Sequence, residues 1–300
     1  MGLDWLTWSN PVALWWMFLF AVSAVNIALL LGLRAAYRMN PFAGRNCVFA
    51  VEPPAVLSAV YVFGCAFRSI LPRADVQRIC LFDSWLSSVL VGRSVATVAE
   101  LCFAIQWAIV LLELGRIAHS DIAKNIAKTI VPLIALAECC SWYAVISTNF
   151  LGNVLENSLW TATFALVAVA LARLSLSFRG PVQVAIAAMA AGTAAYVYFM
   201  LSVDVPMYVA RWQAQLADGG RLLGLLSGLH DLATRWVVTY DMAQWRHEIP
   251  WMSLYFSVAV WTSLLLGGFG LVRHLLPRYR LRRPLVKSTR RPLPVAVRSS

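Results

Sequence analysis

The chain has 300 residues, of which 60% are hydrophobic and 13% are charged, with a formal net charge of +11. A soluble domain does not need so much apolar surface, whereas repeated apolar runs of about 20 residues match the hydrocarbon core of a bilayer. The composition therefore predicts an all-α, polytopic transmembrane helical bundle and excludes a separate soluble domain.

The chain divides into a predicted bundle over residues 1–277 and a basic tail over 278–300. Seven apolar segments are long enough to span a membrane, at 11–33, 47–71, 94–114, 129–148, 158–176, 182–203 and 250–271. The short stretch 149–157 is predicted to be a connection. Residues 72–93 are predicted to form a short interfacial helix or a re-entrant piece packed on the bundle. Residues 204–249 are predicted to form two helices on the membrane surface, separated at Gly219 and Gly220.

The basic residues orient the bundle. The loops after the first, third and fifth spans are basic, and the tail carries eight basic residues and no acid. By the positive-inside rule the N-terminus is outside and the C-terminus inside, in a plasma or inner membrane. Arg73, Arg78 and Arg93 lie on the outer side against this rule, so we expect partners to hold them. The tail indicates contact with membrane lipids and not with nucleic acid, because no folded nucleic-acid-binding module accompanies it.

Two carboxylates stand inside spans, Glu100 in the third and Glu138 in the fourth. A charge in hydrocarbon costs several kcal/mol unless it faces protein or water, so such residues indicate a functional site. Consecutive antiparallel spans usually pack together. We therefore expect Glu100 and Glu138 to share one cavity in the outer half of the membrane, as the candidate catalytic pair.

Helical spacing extends the candidate site along both spans. Arg93, Thr97, Glu100 and Trp107 share one stripe of the third span, while Glu138, Trp142 and Asn149 share one of the fourth. Other polar residues are expected at a similar depth, among them Glu156. The residues predicted to bind substrate are Arg68, Asp83, Arg93, Trp107, Trp142, Asn149 and Asn153.

Residue types that are missing narrow the chemistry. The four histidines lie in loops or at span ends, and no Cys-x-x-Cys pair occurs. The sequence therefore predicts no metal site and no cofactor, which leaves carboxylates, arginines, amides or a thiol. Cys139 and Cys140 are interpreted as packing groups, and Gln106 as a hydrogen bond between helices.

Three functions remain open. In the first, the protein is an integral-membrane enzyme in which Glu100 and Glu138 act as general acid and base on a lipid or isoprenoid-like substrate in an outward-facing cavity. In the second, it is a proton- or cation-coupled transporter that uses the same carboxylates as a relay. In the third, it is a structural or assembly subunit whose glutamates form ion pairs with arginines. The transported or reacting compound, lipidic or another small molecule, is not specified by the sequence.

Overall fold

The computed structural model describes residues 6–39, 52–220 and 222–281, and it shows a helical bundle. Seven of the described helices are long and apolar enough to cross a membrane, as predicted. They are α1 (Pro11–Met39), α2 (Pro53–Ile70), α3 (Val89–Ala118), α4 (Asp121–Ser147), α5 (Phe150–Ser175), α6 (Gly180–Ala217) and α9 (Ile249–Tyr279). Residues 47–51 of the predicted second span and the tail beyond residue 281 lie outside the described residues.

Two predicted boundaries are wrong. Helix α5 begins at Phe150, so the stretch 149–157 is not a connection. Its Asn149 side chain accepts a hydrogen bond from the Leu151 amide at 3.0 Å and caps the helix. The polar residues that follow lower the hydropathy of this first turn, yet Asn153 and Glu156 point into the bundle and are buried. Helix α6 continues to Ala217, so residues 204–217 prolong the sixth apolar helix and do not form a separate one.

The predicted hydrogen bond of Gln106 between helices is confirmed. Its Nε2 donates to the carbonyl oxygens of Pro54 and Ser263, both at 2.8 Å. The Ser263 hydroxyl donates in return to Gln106 Oε1 at 2.8 Å. The Gln106 side chain is fully buried, and both the nitrogen and the oxygen of its amide group have partners. Gln106 therefore joins α3 to α2 and α9.

One end of the bundle is covered by residues 71–88 and 222–248, which we call the cap. Strands β1 (Arg73–Ala74) and β2 (Ile79–Cys80) form an antiparallel hairpin, and β3 (Val237–Val238) pairs with β2 in parallel. Residues 72–88 thus form a hairpin and the short 3-10 helix Trp85–Ser87 in place of an α-helix, while residues 89–93 belong to α3; the alternative of a re-entrant piece packed on the bundle stays a prediction. The second part of the cap contains helices α7 (Leu225–Thr234) and α8 (Met242–Trp245).

Arg78 connects the hairpin to the bundle through hydrogen bonds. Its Nε donates to Asp231 Oδ2 at 2.8 Å, while its Nη1 and Nη2 donate to the carbonyl oxygens of Asp75 and Val145, both at 2.6 Å. The backbone of Arg78 has a φ of 59°, a left-handed conformation that is unfavourable for a residue other than glycine. These three contacts hold the residue in that conformation and connect both parts of the cap to the end of α4.

Arg73 and Asp75 form the second anchor of the cap, with Arg73 Nε 3.0 Å from Asp75 Oδ1. The Arg73 guanidinium also donates to the carbonyl oxygens of Ser88 and Val89. Burial lowers the pKa of Arg73 to about 10, although Asp75 opposes this shift. Burial of Asp75 would by itself raise its pKa, but the nearby guanidiniums of Arg73, Arg68 and Arg93 outweigh burial and hold the pKa below its usual value. The expectation that Arg73 and Arg78 are held by partners is confirmed.

At the opposite end of the bundle, the turn between α5 and α6 contacts the end of α9. Phe178 and Arg280 form an isolated β-bridge, and the Arg179 amide donates to the Tyr279 carbonyl at 2.9 Å. The Leu281 amide donates to Ser177 at 3.0 Å. Helix α9 thus ends beside the turn that follows α5.

We expect Arg78→Ala to lower the free energy of unfolding by about 3 kcal/mol, because it leaves buried acceptors without their donor. Thermal unfolding in detergent and hydrogen exchange of residues 73–80 would measure the loss. The matched control is Arg235→Ala, since Arg235 contacts the same Asp231 carboxylate at 2.8 Å but has a side chain that is 57% exposed. The control should cost less than about 1 kcal/mol. Equal losses in both variants would contradict the role given to Arg78.

We expect the stabilisation provided by Asp75 to disappear in acid. Because its pKa in the folded protein is lower than the ordinary 3.8, the stabilisation is complete above that pH and declines as the pH falls below it. The difference in Tm between the unmodified chain and Asp75→Asn should therefore be large at neutral pH and shrink below pH 3.8. For the exposed Asp121, Asp121→Asn should give a small difference throughout. A difference for Asp75→Asn that is independent of pH would contradict this account.

Candidate functional site

Three glutamates meet in the interior of the bundle. Glu100 from α3, Glu138 from α4 and Glu156 from α5 each bring one carboxylate oxygen within 4.8 Å of the others. Their exposed fractions are 6%, 3% and 7%. The predicted proximity of Glu100 and Glu138 is confirmed. The carboxylates are buried beneath the cap and do not line an open surface cavity.

The close approach of α4 and α5 brings Glu138 and Glu156 together. A Cβ atom at Gly152 would lie 2.6 Å from the Cys140 carbonyl oxygen and 2.6 Å from Ala144 Cβ, so only glycine fits there. Glu156 follows Gly152 by four residues and therefore lies on the same face of α5. The spacing of α4 against α5 thus places Glu156 beside the pair that the sequence had singled out.

Arg93 lies between the three carboxylates. Its Nη2 contacts Glu100 Oε2 and Glu138 Oε2, both at 2.8 Å, and its Nη1 is 3.5 Å from Glu156 Oε1. The expectation that partners hold Arg93 is confirmed. Since its guanidinium is occupied by these carboxylates, Arg93 is their counter-ion.

Side chains from two other helices complete the surroundings of Glu100. The Tyr255 hydroxyl donates to Glu100 Oε1 at 2.9 Å, and Arg68 Nη1 lies 3.9 Å from the same oxygen. Arg68 also lies over the Tyr255 ring, 5.9 Å from its centroid. The structure therefore brings the predicted Arg68 into the cluster and adds Tyr255, which the sequence analysis did not identify.

Glu138 and Glu156 have their own hydrogen-bond donors. The Thr97 hydroxyl donates to Glu138 Oε2 at 2.6 Å and accepts a hydrogen bond from Trp142 Nε1 at 3.1 Å. Asn153 Nδ2 donates to Glu156 Oε2 at 3.2 Å. The predicted residues Trp142 and Asn153 thus belong to the cluster, Trp142 through Thr97.

Three predicted site residues lie elsewhere. Asp83 is exposed in the cap and accepts a hydrogen bond from Trp236 Nε1 at 2.9 Å. Asn149 caps α5 and donates to the Tyr143 hydroxyl at 3.0 Å. Trp107 packs edge-on against Phe164, with ring centroids 5.9 Å apart, in an aromatic layer beside the cluster. Similar depth in the sequence did not bring these side chains to the carboxylates, because Asp83 lies in the cap, Asn149 at the start of α5, and Trp107 two turns from Glu100 along α3.

The charges of the cluster do not balance. Three carboxylates face the two guanidiniums of Arg68 and Arg93, which leaves one negative charge when all five groups are ionised. The further ion pair of Arg73 and Asp75 adds one charge of each sign and does not change this excess. An uncompensated charge in an apolar interior is strongly unfavourable. The arrangement can therefore hold one proton or one cation.

Two turns of π-helix supply residues that the sequence analysis missed. Met200–Asp204 interrupts α6 and ends in the buried Asp204, and Tyr255–Ala259 interrupts α9 and begins with Tyr255. Such turns shift the following side chains relative to the 3.6-residue period and are common at functional sites. Tyr255 and Glu100 lie on different helices, so a search for stripes within one helix could not pair them.

A second polar group joins the cap to α6 and α9. Glu248 is 2% exposed and accepts hydrogen bonds from Arg211 at 2.9 Å, Gln77 at 3.0 Å and Trp251 at 2.7 Å. Tyr208 is within electrostatic range of both Glu248 and Glu156.

We expect Arg93→Gln to lower the free energy of unfolding by about 3–5 kcal/mol near neutral pH, because it leaves buried carboxylates without their counter-ion. Acid should restore much of this loss, since protonation removes the repulsion among the carboxylates. Thermal unfolding in detergent between about pH 4 and pH 8 would test both effects. In the control Arg116→Gln, an exposed ion pair with Glu113 is lost, and the change should stay below about 1 kcal/mol. An equal loss at every pH would mean that Arg93 acts by packing alone.

Comparison with known proteins does not assign the chain to a family. No known protein family, no curated protein and no solved structure matches the chain. The role of the cluster therefore has to be inferred from the contacts and charges of its own residues.

Proposed function

We propose that this protein is a coupled membrane transporter in which the cluster of Glu100, Glu138 and Glu156 takes up and releases a proton or a small cation. The observation that carries the proposal is the one negative charge that Arg68 and Arg93 leave uncompensated among Glu100, Glu138 and Glu156. A site of this kind has a strong preference for its loaded state while it is closed, and it can unload when water or a counter-charge reaches it.

Arg93 suits this role because it holds the carboxylates together without neutralising all of them. Its two short contacts go to Glu100 and Glu138, while the contact to Glu156 is longer, at 3.5 Å. Glu156 is therefore the carboxylate that the guanidinium compensates least. We assign the exchangeable charge to Glu156 and the oxygen atoms next to it.

The polar residues toward the cap provide a route for exchange. Arg211 and Glu248 form an ion pair at 2.9 Å at the border of the cap, and Tyr208 is within electrostatic range of both Glu248 and Glu156. Under the positive-inside rule the capped end faces outward, because the basic residues of the α3–α4 and α5–α6 turns lie at the other end. In this proposal the cap controls access from the outside of a plasma or inner membrane.

The aromatic layer beside Glu100 favours a second candidate, an enzyme acting on a lipid or isoprenoid-like substrate. Tyr61 stacks on Phe103 with centroids 4.7 Å apart, and Phe103 continues to Phe164 at 6.2 Å. Glu100 and Glu138 would then serve as general acid and base at the edge of an apolar site. The layer is filled by its own side chains, so this candidate needs the rings to move apart, and we rank it second.

Proteoliposomes containing Glu138→Gln or Glu156→Gln would test the proposed function, with Glu113→Gln as the control. Glu113 pairs with Arg116 on the same helix as Glu100 but is partly exposed, so it shares the residue type and not the site. An imposed gradient should drive uptake of protons or of radioactive sodium by the unmodified chain and the control. Both cluster variants should reduce uptake by about tenfold or more, the effect of about 1.4 kcal/mol.

The same preparations separate the other functions. Uptake equal to that of the unmodified chain in both cluster variants would contradict the transporter. A changed lipid profile in mass spectrometry with no ion uptake in any preparation would favour the enzyme. A fall in Tm for both variants, with uptake and lipids unchanged, would favour a structural subunit whose glutamates only form ion pairs.

A further inference from the structure

We infer that the seam between α4 and α5 contains a binding site for a monovalent cation of the sodium type, formed by oxygen atoms of Glu138, Ser141, Asn153 and Glu156. The inference rests on the proposed function and specifies the species that the cluster exchanges. It also revises the expectation from the sequence that the chain has no metal site. That expectation relied on histidine and cysteine spacing, which a site made only of hard oxygen ligands does not need.

Three buried oxygen atoms at this seam have no hydrogen-bond donor. They are Glu138 Oε1, Ser141 Oγ and Asn153 Oδ1, in residues that are 3%, 0% and 9% exposed. A buried acceptor without a partner costs about 1–3 kcal/mol, and more when it is charged. Several such atoms together indicate that a positively charged partner occupies the space between them.

The helix geometry places these atoms on facing sides. Glu138 and Ser141 are three residues apart on α4, and Asn153 and Glu156 are three residues apart on α5, so each pair lies on one helix face. Gly152 allows the two helices to approach closely at this level. Because Asn153 Nδ2 donates to Glu156 Oε2, the amide orientation is fixed and Oδ1 is the atom left without a partner.

The charge of the cluster selects a monovalent ion. With Arg68 and Arg93 in place, the three ionised glutamates leave one negative charge, which one monovalent cation neutralises. A divalent ion would leave one positive charge in the same apolar surroundings, at a high electrostatic cost. Carboxylate, amide and hydroxyl oxygens are hard ligands, which suit an alkali metal ion better than a transition metal.

The spacing of the carboxylates admits a small cation. One carboxylate oxygen each of Glu100, Glu138 and Glu156 lies within 4.8 Å of the others, so an ion with ion-to-oxygen distances of about 2.4 Å could contact more than one of them. That distance is typical of calcium, whose ionic radius is close to that of sodium. A larger alkali ion would require the α4–α5 seam to widen at Gly152, where the backbones are already in contact.

The test measures the Tm of the purified full chain in lipid nanodiscs as sodium chloride replaces choline chloride at constant ionic strength. The Tm should rise and saturate with sodium and respond less to potassium, since a ligand that binds only the folded state stabilises it. Ser141→Ala and Asn153→Ala should weaken the apparent sodium affinity by about tenfold, as expected for one lost contact to a charge. The matched controls are Ser158→Ala and Asn157→Ala, whose side chains bond to backbone carbonyls on α5.

Each other outcome overturns the inference. The inference fails if sodium raises the Tm equally in the site variants and the controls, or if only calcium raises it. It also fails if sodium has no effect on the unmodified chain. In that last case, proton uptake by sodium-free proteoliposomes decides the larger proposal: uptake that depends on Glu156 would leave a proton-coupled transporter, whereas no uptake of either ion would remove the proposed function as well.

Discussion

A guanidinium and three carboxylates share the interior of this bundle, and the helices that carry them are arranged around that contact. Arg93 reaches Glu100, Glu138 and Glu156, so one side chain of α3 connects α3 with both α4 and α5. In an apolar medium these four groups cannot be buried separately, because each needs an opposite charge or a hydrogen bond. The ion-pair network therefore constrains the depth and the facing of three consecutive helices.

The cap belongs to the same electrostatic neighbourhood. Arg73 and Asp75 of the hairpin interact with Arg68 and Arg93, which in turn contact the carboxylates. The charge of the cluster therefore alters the electrostatic potential at Arg73 and Asp75, and the charges of these two residues alter the potential at the cluster. This arrangement provides a physical reason why loading of an interior site and opening of the covered end would depend on one another.

Two π-helical turns interrupt the regular geometry of α6 and α9 next to buried polar side chains. Tyr255 begins one of them and bonds to Glu100, while Asp204 ends the other near Glu248 and Arg211. A π-turn inserts an extra residue into the hydrogen-bond ladder, which costs stability unless side-chain contacts compensate for it. In α9 the hydrogen bond from Tyr255 to the buried carboxylate is such a contact.

The sequence by itself determined the seven apolar helices, the proximity of Glu100 and Glu138, the pairing of Arg73, Arg78 and Arg93, and the bond made by Gln106 between helices. Each of these follows from local periodicity or from the cost of burying a charge or an amide in an apolar medium. Only the tertiary structure decided that Glu156 is the third carboxylate and that Asp83 stays in the cap. Those outcomes depend on the close approach of α4 and α5 at Gly152 and on partners distant in sequence, such as Trp236, which no helical period encodes.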